Sequence, residues 1–146
     1  MVGTPKIETA KGSLYEIDFK EENWEENRKV EERSDYVWRN VKDGRILLSN
    51  SFCNEFQEQG LDVLALKTFK IVDKLEIQLK KFTTFEDHEA YLLEGTGSVD
   101  GVPVGLKLLN TRRSNCYFDF VSITPLNSSR SLTSEFEKFL KAVKFK

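Results

Sequence analysis

The chain has one histidine, two cysteines, three prolines and a single methionine in 146 residues, and each scarcity removes a class of chemistry. One His and two widely separated Cys make neither a Cys-x-x-Cys nor a His-x-x-x-His pair, so a zinc site has nothing to start from. No stretch approaches the ~20 apolar residues that a membrane-spanning helix needs. Neither sign of charge is in excess: 22 basic and 24 acidic residues leave a net charge of -2, which favours neither nucleic acid nor an anionic membrane surface. No Pro/Gly/Ser-rich linker, internal repeat or low-complexity tract divides the sequence. A chain of this length without a linker predicts one domain over residues 1–146.

What is present is a dense alternation of apolar and polar residues. From Glu89 to Pro125 it reads as three consecutive strands. Asp100-Gly101 carries the signature of a two-residue hairpin turn, pairing Val99 with Val102, Glu94 with Lys107 and Leu93 with Leu108. A second turn is expected around Arg112-Arg113-Ser114. A three-residue loop there keeps Phe118 and Phe120 on the face of Leu93 and Leu108, because one step of register moves every side chain to the other face. The opposite face then carries Leu92, Leu109, Tyr117, Val121 and Ile123. A sheet apolar on both faces needs cover on both.

Two segments can supply that cover. Leu61, Leu64, Thr68 and Ile71 fall at helical spacing within 61–72, with Gly60 just before them. Leu132, Phe136, Phe139, Leu140 and Val143 form a second stripe within 132–143, with Ser134 and Glu137 at capping-box spacing. Further strands are expected at Leu14 to Phe19, at Asp35 to Val41 and Arg45 to Phe52 around the turn Lys42-Asp43-Gly44, and at Leu75 to Phe82. The predicted fold class is α+β: a mainly antiparallel sheet of about six to seven strands with helices on both faces, an α/β/α sandwich.

Few residues are left to carry chemistry. His88 lies between Asp87 and Glu89 in a polar turn, and no nearby Ser, Cys or Thr forms a nucleophile motif with it, so an exposed turn histidine is expected and no catalytic residue is assigned. Gly95, Gly97, Gly101 and Gly105 surround a hairpin with no helix opening after them. They read as strand glycines that make room for a ring or a helix backbone, not as a phosphate cradle. No metal or other cofactor is therefore expected. The run from Glu21 to Arg33 mixes Glu with Lys and Arg and reads as a solvated face.

Cys53 ends one strand and Cys116 opens another, which puts both at one end of a sheet. Two buried free thiols and a disulfide are both compatible with that placement. The expectation is a bridge, which would enclose about 64 residues, stabilise by roughly 3 to 4 kcal/mol and imply an oxidising compartment. Trp24 and Trp38 can cap the core or anchor a partner. Tyr36 with Trp38, and the adjacent pair Arg112-Arg113, whose guanidiniums suit a carboxylate or phosphate, are the candidate partner-binding residues.

A family resemblance rests on residues along nearly the whole chain. They are Gly3-Thr4-Pro5, Trp24, the strand from Asp35 to Trp38, Ile46 to Cys53, the helix from Leu61 to Ile71, Gly97 with Val99-Asp100-Gly101-Val102-Pro103-Val104, Cys116-Tyr117-Phe118-Asp119, and Phe136 to Phe145. Their order resembles the fold shared by PsbP, the extrinsic subunit of photosystem II, and the Ran-binding protein Mog, and more closely bacterial envelope lipoproteins of that fold. The resemblance implies an accessory or assembly factor without enzymatic chemistry. It further implies a periplasmic setting, tethering through a lipid anchor, and a protein or small ligand of the envelope as partner. Residues 1–4, Met1-Val2-Gly3-Thr4, do not read as a secretion signal, so the signal and lipid-bearing cysteine of such a lipoprotein would precede residue 1. Two rival readings are a cytoplasmic adaptor of the Ran-binding type and an enzyme whose site combines scattered acidic residues with His88.

Overall fold

The computed structural model describes residues 14–27, 34–53, 59–126 and 133–146. Gly3-Thr4-Pro5 and Leu132 lie outside them, as do the side chain of Ser134 and the end of the charged run.

The meander dominates the fold. Strands β5 (Asp73–Phe85), β6 (His88–Val99), β7 (Val102–Arg113) and β8 (Cys116–Pro125) pair antiparallel in sequence order. Beyond β8 the sheet continues through β4 (Ile46–Cys53), β3 (Tyr36–Asn40) and β2 (Trp24–Glu26), giving seven strands in the order β2-β3-β4-β8-β7-β6-β5. A separate two-stranded ribbon joins β1 (Tyr15–Ile17) to β9 (Val143–Phe145). Helix α1 is Leu61–Thr68 and α2 is Thr133–Lys141. Short β2 and β9 were not visible as alternating runs, because three residues hold too little of a period-two pattern.

The Asp100-Gly101 hairpin has the expected register, with Leu93 opposite Leu108 and Glu94 opposite Lys107. The β7–β8 turn differs from expectation. It is a two-residue turn, Ser114-Asn115, with Arg113 opposite Cys116. Both turn residues have positive φ, 52° and 62°, the conformation of a type I′ turn, which Asn tolerates through its short polar side chain. The shorter loop flips β8. Phe118 and Phe120 therefore pack with Leu109, while Tyr117 and Val121 lie with Leu93 and Leu108. The β5–β6 connection is of the same kind: Glu86 and Asp87 have φ of 49° and 65°, and His88 opens β6 instead of lying in the turn.

Both faces are covered. On one face α1 buries Leu61, Leu64 and Ala65 over Tyr91, Leu93, Leu106 and Leu108. The helix is shorter than the spacing predicts, and Ile71 follows it at 77% exposure. On the other face α2 buries Phe136 and Phe139, and the β1–β9 ribbon adds Tyr15, Ile17 and Val143 to the same core. Val143 thus reaches the core from a strand, not from the helical stripe. Ser134 lies in the first turn of α2, and the expected capping box falls outside the described residues with its side chain.

Gly95 makes room for strand backbone and Gly97 for a side chain that leads into β5. A Cβ on Gly95 would stand 2.6 Å from the Glu76 carbonyl oxygen, and one on Gly97 would stand 2.3 Å from a Val72 methyl. Both sit where β5 is bulged against β6.

Candidate functional site

A groove of about 720 Å³ opens between the β1 end and the β2–β3 edge of the sheet. Its walls carry Glu16, Asp18, Lys20, Glu21, Glu26 and Lys144, and aromatic side chains form its floor. Tyr36 and Trp38 stack at 5.7 Å with their planes 16° apart, as alternate residues of one strand face. Phe19 meets Trp24 and Trp38 edge-on, each at 5.7 Å. The rim charges are knit to the fold: Lys146 binds Glu16 at 2.8 Å, Lys138 binds Glu21 at 3.1 Å, and Lys20 lies 3.6 Å from Asp18. Burial and the nearby carboxylates of Glu16, Asp35 and Glu26 raise the Tyr36 phenol above its ordinary range, so it stays protonated and can donate a hydrogen bond.

The candidate partner-binding residues divide. Trp38 lines the groove but is only 3% exposed and is gripped by Phe19, Tyr36 and Phe139, so most of its ring belongs to the core. Half-buried Tyr36 lines the groove. Arg112 and Arg113 close β7 just before the hairpin tip and have folding partners. Arg112 donates to the Gln59 carbonyl, and the Arg113 guanidinium lies 4.0 Å over the Phe145 ring. A line of rings connects the two regions, from Tyr36 to Tyr15 at 5.6 Å and from Tyr15 to Phe145 at 6.4 Å.

Cys53 and Cys116 are bonded, as register partners on β4 and β8 with Cα atoms 4.0 Å apart. His88 keeps its Nδ1 within 2.9 Å of the Glu86 carbonyl oxygen, a local contact of the turn. Among the described residues no group of three or more His, Cys, Asp or Glu side chains could hold a metal ion.

Two buried polar clusters were not anticipated. Between the β1–β9 ribbon and the sheet, the Tyr15 hydroxyl donates to Asp35 Oδ2 at 2.6 Å and lies 2.9 Å from Ser49 Oγ, and Ser51 donates to the same carboxylate oxygen at 2.5 Å. Burial, then the charge of Asp35, raises the Tyr15 phenol far above its ordinary range. Beneath α1, Asn50, Asp119 and Asn110 stand opposite one another across β4, β8 and β7. Asn110 Nδ2 donates to the Leu61 carbonyl at 2.8 Å and to the Tyr117 hydroxyl at 3.1 Å. Thr68 Oγ1 donates to Asp119 Oδ2 at 3.1 Å. The one available sequence signal was a polar residue in mid-strand at a position whose neighbours in the alternation are apolar.

The sequence matches no family model, and no curated protein matches it. Solved structures do match. LpqN, described as involved in cell envelope biogenesis of Mycobacterium tuberculosis, is 7% identical with a TM-score of 0.67, over 90% of this chain and 83% of that one. The cyanobacterial PsbP (CyanoP) of Synechocystis sp. PCC 6803 is 12% identical with a TM-score of 0.64, over 99% and 95%. A Bacteroides thetaiotaomicron protein is 12% identical with a TM-score of 0.63, over 92% of this chain and 46% of its own. A seven-stranded antiparallel sheet between two helices, matched over nearly its full length, gives this chain the PsbP-like fold.

Proposed function

We propose that the protein is a non-enzymatic binding or assembly factor of the bacterial cell envelope, exported and tethered as a lipoprotein. Its partner, a protein or small ligand, is held in the groove of Tyr36 and Trp24. The observation that carries the reading is that groove: an open, charged rim over an aromatic floor suits recognition, since Tyr and Trp supply apolar area with a polar tip. The likeness to LpqN supports the envelope setting, and the Cys53–Cys116 bond supports an oxidising compartment over a cytoplasmic adaptor. Capture from envelope extract tests the reading, comparing wild type with Tyr36→Ala and with the double variant Arg112→Ala, Arg113→Ala. Loss of the captured partner with folded Tyr36→Ala is expected. Full retention by both folded variants would move the site elsewhere, and substrate turnover that depends on His88 would replace binding with catalysis.

A further inference from the structure

The polar row under α1 holds the helix at both ends. Asn110 binds the carbonyl of Leu61, the first residue of α1, and Asp119 accepts from Thr68, the last. Both N–H bonds of the Asn110 amide are used, so its oxygen is fixed in the opposite direction. That oxygen, Asn110 Oδ1, is buried and has no hydrogen-bond partner among the described residues, and the same is true of Asp119 Oδ1. The two residues are direct register partners on neighbouring strands and point to one face, where such side chains start about 5 Å apart. Asn50 Oδ1, on the other register partner of Asp119, is a third orphaned acceptor of the row, and acceptors side by side cost free energy unless a hydrogen lies between them.

We propose that Asp119 is held as a neutral carboxylic acid whose Oδ1–H is donated to Asn110 Oδ1, and that loss of this proton loosens the seat of α1. One proton satisfies two of the three orphaned oxygens, those of Asn110 and Asp119, and leaves Oδ2 free to accept from Thr68. The surroundings agree. Asp119 is fully buried, and this burial pushes its pKa up from 3.8 to about 7, against the hydrogen bonds from Thr68 on α1 and Asn50 on β4 and with a further push from the Asp35 carboxylate. The other titratable group of the row, Tyr117, is raised by burial and then by Asp119, so it stays neutral, and Arg112 acts on that phenol.

The sign follows from linkage. The folded state binds this proton more tightly than the unfolded chain, so the stability it contributes is complete below the ordinary value of 3.8. It is lost as pH rises towards about 7 and is level beyond. Release of α1 would uncover Leu61, Leu64, Ala65 and Phe69, an apolar face beside the already exposed Val63 and Leu66. The device would therefore couple ambient pH to an adhesive surface.

Carbon-13 NMR of protein labelled at aspartate carboxyls, with amide hydrogen exchange of Leu64 and Phe69, tests this independently of any partner. One carboxyl should titrate with a midpoint near neutrality and vanish in Asp119→Asn, whose amide can donate to Asn110 in the same place. Exchange protection of α1, corrected for intrinsic rates and referred to β8 amides, should fall at least tenfold between pH 5.5 and 8.5 in wild type and stay level in the variant. An Asp119 carboxyl already ionised at pH 5, or the same α1 profile in both proteins, would overturn the proposal. Should Asp119→Asn fail to fold, the wild-type exchange profile decides alone, since a pH-independent α1 is incompatible with it.

Discussion

Cys53 and Cys116 are directly opposed at one end of the neighbouring strands β4 and β8, so the disulfide closes a loop with a sequence separation of 63. It spans the segment that contains α1 and most of the meander, and ties β4 to β8, the strand through which the meander joins the β2-β3-β4 half of the sheet.

Reduction should therefore lower the unfolding midpoint by an amount equivalent to about 4 kcal/mol, the loop-entropy value for a closure of this length. Mass spectrometry of alkylated, non-reduced protein should find no free thiol. Two alkylated cysteines in natively produced protein would contradict an oxidised native state.

Phe139 meets Phe19, Trp38 and Phe120 edge-on at 5.7, 5.5 and 6.4 Å. Phe139→Ala should cost ~3 to 5 kcal/mol and Phe136→Ala a comparable amount, read as lower denaturant midpoints with unchanged slope. Trp38→Ala belongs with them: a loss of stability, not a selective loss of binding, is expected.

At the β7–β8 turn, Asn115 has φ of 62°. Asn115→Val should destabilise by ~1 to 2 kcal/mol, because a β-branched side chain resists the left-handed conformation, while Asn115→Gly should be neutral or slightly stabilising. Thermal melts of the pair check the turn type. Equal melting temperatures would argue against the positive φ.

Gly95→Ala would place a methyl 2.6 Å from the Glu76 carbonyl oxygen, where backbone must move. A loss of ~1 to 3 kcal/mol is expected, as for other overpacked sites. Gly44→Ala, with open space but a φ of 76°, should cost about 1 kcal/mol through the backbone alone.

Tyr15→Phe removes a donor from Asp35 and leaves a buried carboxylate with one fewer hydrogen bond. A loss of ~1 to 3 kcal/mol is expected from chemical denaturation. Because the aromatic ring remains, the packing against Phe118 at 5.1 Å should survive in the near-ultraviolet spectrum.

Three consecutive hairpins, at Glu86-Asp87, Asp100-Gly101 and Ser114-Asn115, use two-residue turns with positive φ at both positions. Only the middle one was legible from residue types, because glycine advertises positive φ while Glu, Asp and Ser adopt it under the pull of strand pairing. The candidate site was legible to the same extent. Tyr36 was marked by its type, but Glu16, Glu26 and Lys144 were ordinary surface charges until the sheet edge and the β1–β9 ribbon brought them to one groove.

Alternation along the chain was enough to determine an antiparallel meander with apolar residues on both faces and the need for a helix over each, because side-chain direction along a strand is a local property with a period of two. Which aromatics share a face was decided by the tertiary structure, since Phe118 and Phe120 change sides with one residue of turn length. Only there, too, do Asn50, Asp119 and Asn110 become one row and Cys53 meet Cys116, because cross-strand partners are chosen by register between segments far apart in sequence.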